Sequence, residues 1–347
     1  MKAIMKLRKE PGAVEVVDVP NVTTPEDDQV LIRIHSAAIC GSDVHAYEYI
    51  PSYRNFIKTP VVLGHEGSGV VKACGPKVTL FKPGDRVMAE SNIYCGRCRN
   101  CRVGETNICE ANLLRGLTID GVMQEYATIT ERSLHLLPEG LSFDEGAAAQ
   151  ACTVSLHGVQ RRVDLHAGEN VVVMGCGIIG ISAAQLARLR GANVLLVGTN
   201  DDEAVRLPIV RRMGFHTVNC MKESVVSYAE NFFGRKPDFV LECSGASPAL
   251  TSAVDVLKKG GTILLLGLVS EDVAFPFAKA TRSEINVVTS YTSCWLDYEE
   301  TLSFLASGAL DIKPILTAYD VADSVKAFED AASKKVLKPV IRFAQSA

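Results

Sequence analysis

The chain has no run of like charges, no internal repeat and no uninterrupted apolar stretch of membrane-spanning length. Each absence removes a class of function. Lys plus Arg total 36 and Asp plus Glu 40 in 347 residues, a formal net charge of −4. Without a basic stripe or an acidic tail, neither a nucleic-acid footprint nor a charged interaction tail is indicated. The longest uncharged run, Asn170 to Ala187, is interrupted by Asn170, Gln185 and three glycines, and falls short of the about 20 apolar residues a bilayer requires. Between Met1 and Gly12, Lys2, Lys6, Arg8, Lys9 and Glu10 leave no room for the apolar core of a signal peptide. Apolar residues make up 47% and charged residues 22%, a balance that excludes disordered, collagenous and coiled-coil classes. At about 150 residues per domain the length favours two domains.

Cysteine, by contrast, is plentiful. There are eleven, an odd number, and four crowd into one short stretch, Cys95, Cys98, Cys101 and Cys109. In a chain of this size with no secretion signal, that crowding predicts metal rather than disulfides and a reducing, cytoplasmic setting. The spacing C-x2-C-x2-C-x7-C lets four thiolates of one loop converge on a tetrahedral ion. Four sulfurs close the coordination shell, so the expected role is structural zinc. An iron–sulfur cluster also takes four cysteines, but its usual run has a different final spacing.

Two patterns divide the chain near residue 160. The first part reads as short strands and glycine-punctuated turns, with a partly buried strand over Val30–His35. From about residue 168 strands and helices alternate: Val171–Met174, a helix from Ile178 to about Arg190, Asn193–Val197, a helical stretch over about Glu203–Met213, Asp238–Glu242 and Thr262–Leu266. Apolar strands separated by helices predict a doubly wound parallel sheet covered on both faces, an α/β fold. A helix over Tyr298–Ala306 and a strand over Pro339–Phe343 then return the chain to the first domain.

Gly175-Cys176-Gly177-Ile178-Ile179-Gly180 fits G-x-G-x-x-G. It follows a strand and opens a helix, the context in which a pyrophosphate sits on a helix N-terminus. The next strand ends in Gly198-Thr199-Asn200, where an acid would accept from a ribose 2′-hydroxyl. A small neutral tip admits a 2′-phosphate and Arg206 is a partner for one, whereas Asp201 and Asp202 argue for a free ribose. NAD and NADP both stand.

Cys40-Gly41-Ser42-Asp43-Val44-His45 and Gly64-His65-Glu66 lie in the β-rich part. Together they offer a thiolate, an imidazole and a carboxylate for a zinc ion with an open position. Asp43 is a natural acceptor for the second ring N–H of a ligating histidine.

These two motifs, with Lys82-Pro83-Gly84-Asp85-Arg86-Val87, the four-cysteine lobe, Asp120-Gly121 before Glu125-Tyr126, and the glycine fingerprint, follow the order found in zinc-dependent medium-chain alcohol dehydrogenases. The chain resembles that family from Met1 to about Phe343, most closely in its polyol, sorbitol dehydrogenase-type branch. The resemblance implies a GroES-like β-rich catalytic domain over 1–158 with a structural zinc lobe at 93–112, a Rossmann NAD(P)-binding domain over 159–296, and a return to the catalytic domain over 297–347. It implies an active site between the two, and a homodimer or homotetramer. It places catalytic zinc on Cys40, His65, Glu66 and Gln150, and structural zinc on Cys95, Cys98, Cys101 and Cys109. Around NAD or NADP it places Gly175, Gly177, Ile178, Ile179, Gly180, Thr199, Asn200, Arg206, Ser244 and Gly267. It makes Ser42 and His45 the proton relay, with Asp43 beside them.

Two departures stand out. Matching the helix through Val154 and His157 puts Gln150-Ala151 where polyol dehydrogenases of this type carry Glu-Pro. Archaeal-type glucose dehydrogenases use Gln there. Counting back from Trp295, Ser290-Tyr291 replaces an Arg-Tyr pair that holds substrate hydroxyls. The expected activity is oxidation of a secondary alcohol, a polyol or related hydroxy compound, to a ketone. An aldose 1-dehydrogenase is the alternative, and a non-catalytic zinc-stabilised nucleotide-binding protein is the reading from a different class. Threonine dehydrogenases share the Cys-Gly-x-Asp-x-His pattern.

Overall fold

A computed structural model describes residues 1–22 and 24–343. The final four positions of the expected 297–347 segment lie outside the described residues. Contacts divide the chain into two units, one of Met1–Ala151 with the segment that begins at Cys294, the other of Cys152–Ser293. The sequence boundaries after residues 158 and 296 stand as expectations, and one continuous helix, Phe143–Leu156, runs across the first division by contacts. The returning helix begins earlier than expected, at Trp295, since the Cys294 amide donates to Asp297 Oδ2 at 2.8 Å and starts its first turn.

In the first unit the long strand Gln29–Ala38 is central. Glu66–Cys74 and Tyr126–Thr130 pair with it antiparallel, and Lys338–Arg342 joins at its far end, so the chain's last strand completes a sheet begun near its start. The register sets Ala38 opposite Glu66 on one flank and opposite Val340 on the other. Ile4, Ile32, Ile34, Leu63, Met123 and Phe328 are fully buried in its core.

The second unit is a six-stranded parallel sheet. Its order is His216–Asn219, Asn193–Gly198, Asn170–Met174, Phe239–Glu242, Thr262–Leu265 and Asn286–Thr289. That is the Rossmann arrangement, with strand order reversing beside the first strand. Asn170–Met174 is buried at every residue, as a strand covered on both faces must be. The helix expected over about Glu203–Met213 is shorter, Arg206–Arg212. Thr199 and Asp202 cap a preceding 3-10 turn over Asn200–Asp202 and hold that stretch out of the α-helix. Among the described residues no helix is long and apolar enough to cross a membrane.

Candidate functional site

The sheet of the first unit brings together a set of candidate metal ligands. The central strand ends at Ala38, and Cys40 follows at the N-cap of the Gly41–Glu48 helix. Glu66 opens the neighbouring strand, opposite Ala38. One ligand atom each from Cys40, His65 and Glu66 lies within 4.8 Å of the others. Asp43, fully buried, accepts from the Cys40 amide through Oδ2 at 2.9 Å, which fixes the turn that presents the thiol. Its Oδ1 lies 3.8 Å from His65 Nδ1. That contact turns Nδ1 towards Asp43 and leaves Nε2 to face a cation.

These residues fit zinc. A thiolate, an imidazole and a carboxylate with one position left open is a catalytic zinc set. Asp43 Oδ1 and His65 Nδ1 are buried without a hydrogen-bond partner, which is costly unless something charged organises them; Glu66 Oε2 also lacks an aligned hydrogen bond but has the Lys338 ammonium 2.6 Å away. Burial alone would lower the pKa of His65, yet Asp43 and Cys40 push it up to about 10. The donor set is built around positive charge.

The second metal cluster is equally well made. Cys95, Cys98, Cys101 and Cys109 place their sulfurs within 4.8 Å of one another. Backbone N–H groups of Arg97 and Cys98 point at Cys95 Sγ and bring its pKa down to about 6. The amides of Cys95 and Ala111 point at Cys109 Sγ. Burial and the adjoining sulfurs push Cys101 up to about 12, because four neighbouring thiols cannot all ionise unless a cation neutralises them.

Ser42 and His45 stand three residues apart on the Gly41–Glu48 helix and so share a face. His45 packs edge-on against Tyr53 at 5.3 Å. Burial lowers its pKa, with Glu48 opposing. Gln150 is buried in the Phe143–Leu156 helix and donates Nε2 to Ser91 Oγ at 3.0 Å. Ser91 is held in turn by the Tyr298 hydroxyl, which accepts from its amide at 3.2 Å. The atom Gln150 would offer a cation is its carbonyl oxygen, the end opposite that hydrogen bond.

In the second unit the three fingerprint glycines have separable reasons. Gly175 takes φ +112°, a value side chains avoid. A Cβ at Gly180 would stand 2.0 Å from the Gly175 carbonyl oxygen, so helix and strand pack too closely for any side chain. A Cβ at Gly177 would meet nothing within 4 Å. That open space lies at the N-cap of the Ile178–Leu189 helix, whose first turn, with Ile178 and Ile179, carries unpaired amides suited to a pyrophosphate. The residues fit a dinucleotide.

At the ribose strand, Thr199 donates both N–H and Oγ1 to Asp202 Oδ2, at 2.9 and 3.0 Å. Arg206 Nη1 reaches Asp202 Oδ1 at 3.4 Å. Asn200 Oδ1 accepts from Asn219. Asp202 is thus folded back onto its own turn. Ser244 donates its amide to Glu242 Oε1 at 2.9 Å, and the Gly245 amide donates to Oε2 at 3.1 Å. Gly267 lies against the same carboxylate: a Cβ there would stand 2.6 Å from Glu242 Oε2.

Sequence reading missed Lys338, Ser91, Tyr298 and Glu242. Glu242 alone left a signal, as an acid closing the apolar run Phe239–Leu241.

Comparison with known proteins agrees with this geometry. The sequence model of the alcohol dehydrogenase GroES-like domain matches residues 26–139, and that of the zinc-binding dehydrogenase matches 179–307. A sorbitol dehydrogenase of Halalkalibacterium halodurans is 34% identical over 98% of this chain and 99% of its own. An L-threonine 3-dehydrogenase of Deinococcus deserti is 35% identical over 95% of each. A solved structure from Sinorhizobium meliloti 1021, described as a zinc-binding dehydrogenase bound to NADP, superposes with a TM-score of 0.87 at 27% identity over 98% of both chains.

Proposed function

We propose the machinery and substrate class of this chain from the premise that it belongs to the zinc-dependent medium-chain alcohol dehydrogenases, oxidoreductases acting on a CH–OH group with zinc and NAD(P). Its substrate is a polyol or related secondary alcohol, oxidised to the ketone. The observation that carries the residue assignment is the convergence of Cys40, His65 and Glu66 within 4.8 Å.

Bound zinc would supply Lewis acidity at the substrate hydroxyl, and bound NAD(P) would supply a hydride acceptor. Cys40, His65 and Glu66 hold the metal, with the Gln150 carbonyl as a further ligand. Asp43 orients the His65 ring. Ser42 would accept the hydroxyl proton while giving up its own, and His45 would take up the proton so released and pass it towards solvent. The depressed pKa of His45 keeps it neutral at pH 7, the state in which it can accept. Gly177, Ile178 and Ile179 seat the pyrophosphate. Thr199, Asn200 and Arg206 face the adenosine ribose, while Ser244 and Gly267 border the bound dinucleotide. Cys95, Cys98, Cys101 and Cys109 hold a structural zinc.

Gln150 supports a second reading, aldose oxidation at C1, since glucose-type relatives carry Gln there. A panel of polyols, aldoses, amino alcohols and simple secondary alcohols, run with NAD and with NADP while following nicotinamide reduction, decides. Fastest turnover on a polyol supports the first reading and on an aldose the second. No turnover on any member of the panel contradicts both.

We also assign a homo-oligomer and a cytoplasmic setting. The Asn286–Thr289 strand closes its sheet as an edge, with Val287 44% exposed, and an edge of that kind is a template for a second copy. A closely spaced thiolate set keeps its metal best where thiols stay reduced.

A further inference from the structure

Lys338 is a lysine almost without solvent, 2% exposed on the last strand of the chain. An ammonium so placed is stable only where its charge is answered. Its Nζ donates to the Ile39 carbonyl at 2.9 Å and to Glu66 Oε1 at 2.8 Å, and lies 2.6 Å from Glu66 Oε2. Register explains the meeting. Glu66 and Lys338 open the two strands that flank the end of Gln29–Ala38, and Cys40 lies just past that end.

We propose that Lys338 shares the Glu66 carboxylate with the catalytic metal, holding it in place while keeping one unit of positive charge beside the zinc. This rests on the assignment of zinc to Cys40, His65 and Glu66. A thiolate and a carboxylate neutralise a divalent ion, and a coordinating thiol is deprotonated outright. The buried Asp43 carboxylate beside His65 adds a further negative charge, which the ammonium offsets; without Lys338 the metal would sit in a cluster more negative by one unit. Two consequences oppose each other: the zinc is held less tightly than by a free carboxylate, and it draws electrons from a bound hydroxyl more strongly. Glu66 Oε1 accepts the aligned hydrogen bond, and Oε2, 2.6 Å from the same Nζ, pairs with it by charge alone. Both oxygens face the ammonium, so a metal held through either one shares the carboxylate with Lys338. Lys338 is thus a positioning residue that acts through Glu66 and through its charge.

The test is zinc affinity, read by competition with a chromophoric chelator on the full chain with its four-cysteine site loaded. Lys338→Met should tighten the second zinc on the order of tenfold to a hundredfold, the scale of removing one nearby charge from a shielded site. Lys338→Arg keeps the charge and should stay near the parent. In cobalt-substituted protein, the visible bands of Lys338→Met should shift as Glu66 binds more fully, and those of Lys338→Arg should not. If Lys338→Met does not fold, Glu66→Gln is compared with Glu66→Gln/Lys338→Met, where the double variant should bind more tightly by the same order. Equal or weaker zinc binding in a folded Met-containing variant overturns the proposal and leaves Lys338 a purely structural lysine. The underlying zinc assignment is tested separately. If Cys40→Ser, with Lys338 intact, retains two zinc ions at parental affinity, that assignment is wrong whatever the Lys338 variants do.

Discussion

Replacing Asp43 with Asn tests the orientation of the metal-binding imidazole and little else. Asp43 performs two tasks with two oxygens. Oδ2 accepts from the Cys40 amide at 2.9 Å, and Oδ1 faces His65 Nδ1 at 3.8 Å. Asn keeps an acceptor for the first task, so the turn before the helix should survive. For the second it offers an N–H where a carboxylate oxygen stood. The carboxylate charge that favours a proton on His65 Nδ1 is then gone, so the ring proton is free to move to Nε2, the nitrogen needed for metal. The charge that pushes the His65 pKa up to about 10 disappears as well. Loss of such a carboxylate partner typically weakens metal binding 10- to 100-fold, about 1.4–2.7 kcal/mol. Asp43→Ala should add a capping loss of about 1 kcal/mol, seen as a fall in Tm of roughly 2–4 °C. The assay pairs chelator competition for zinc with thermal unfolding of metal-stripped protein. Parental zinc affinity in a folded Asp43→Asn would show that Asp43 does not set the tautomer, and the orientation argument would fail.

Other expectations follow from separate parts of the chain. Cys98→Ser should remove one zinc and lower Tm by roughly 10 °C, because a closed structural site contributes folding free energy directly; elemental analysis and calorimetry check both. Gly180→Ala should destabilise the second unit by roughly 1–3 kcal/mol, since its Cβ meets backbone. Gly177→Ala should leave stability within about 0.5 kcal/mol but weaken NAD(P) at least about tenfold by fluorescence titration, since its Cβ enters only the space a pyrophosphate would use. His45 has a lowered pKa, so it stays neutral, and relay-competent, somewhat below the ordinary histidine value of about 6.5. The acid limb of kcat for alcohol oxidation should fall there, and His45→Gln should reduce kcat by roughly a hundredfold, a loss that small amine buffers partly restore.

Much of the site is legible in the sequence because its chemistry is local. Four thiols within one loop can meet only on something between them. Gly175-x-Gly177-x-x-Gly180 is bounded by a strand and a helix that the hydrophobic pattern already marks. Cys40, Ser42, Asp43 and His45 occupy one turn-and-helix segment. The residues that escaped notice act over long sequence distances. Lys338 meets Glu66 across 272 positions and Tyr298 meets Ser91 across 207, pairings that only the sheet order and the returning segment create. A single lysine opening an apolar strand reads as a solvated strand end until the sheet order sets its strand and the Glu66 strand on the two sides of the Gln29–Ala38 strand. The sequence sets Asp201 and Asp202 against a 2′-phosphate but does not reveal that Asp202 is held by Thr199 in a local cap, because short-range hydrogen bonding by Thr and Asp competes with ligand-facing roles.

The most direct measurement is zinc content alongside turnover on one set of preparations: the parent, Cys40→Ser and Cys98→Ser, purified without chelator and assayed on the best alcohol of the panel. The account predicts two zinc ions and NAD(P)-dependent oxidation in the parent. It predicts one zinc, an intact fold and no turnover in Cys40→Ser, and one zinc with a more strongly lowered Tm in Cys98→Ser. Undiminished alcohol oxidation by Cys40→Ser, or by parent protein whose only zinc vanishes with Cys98→Ser, would contradict the claim that Cys40, His65 and Glu66 form the catalytic centre.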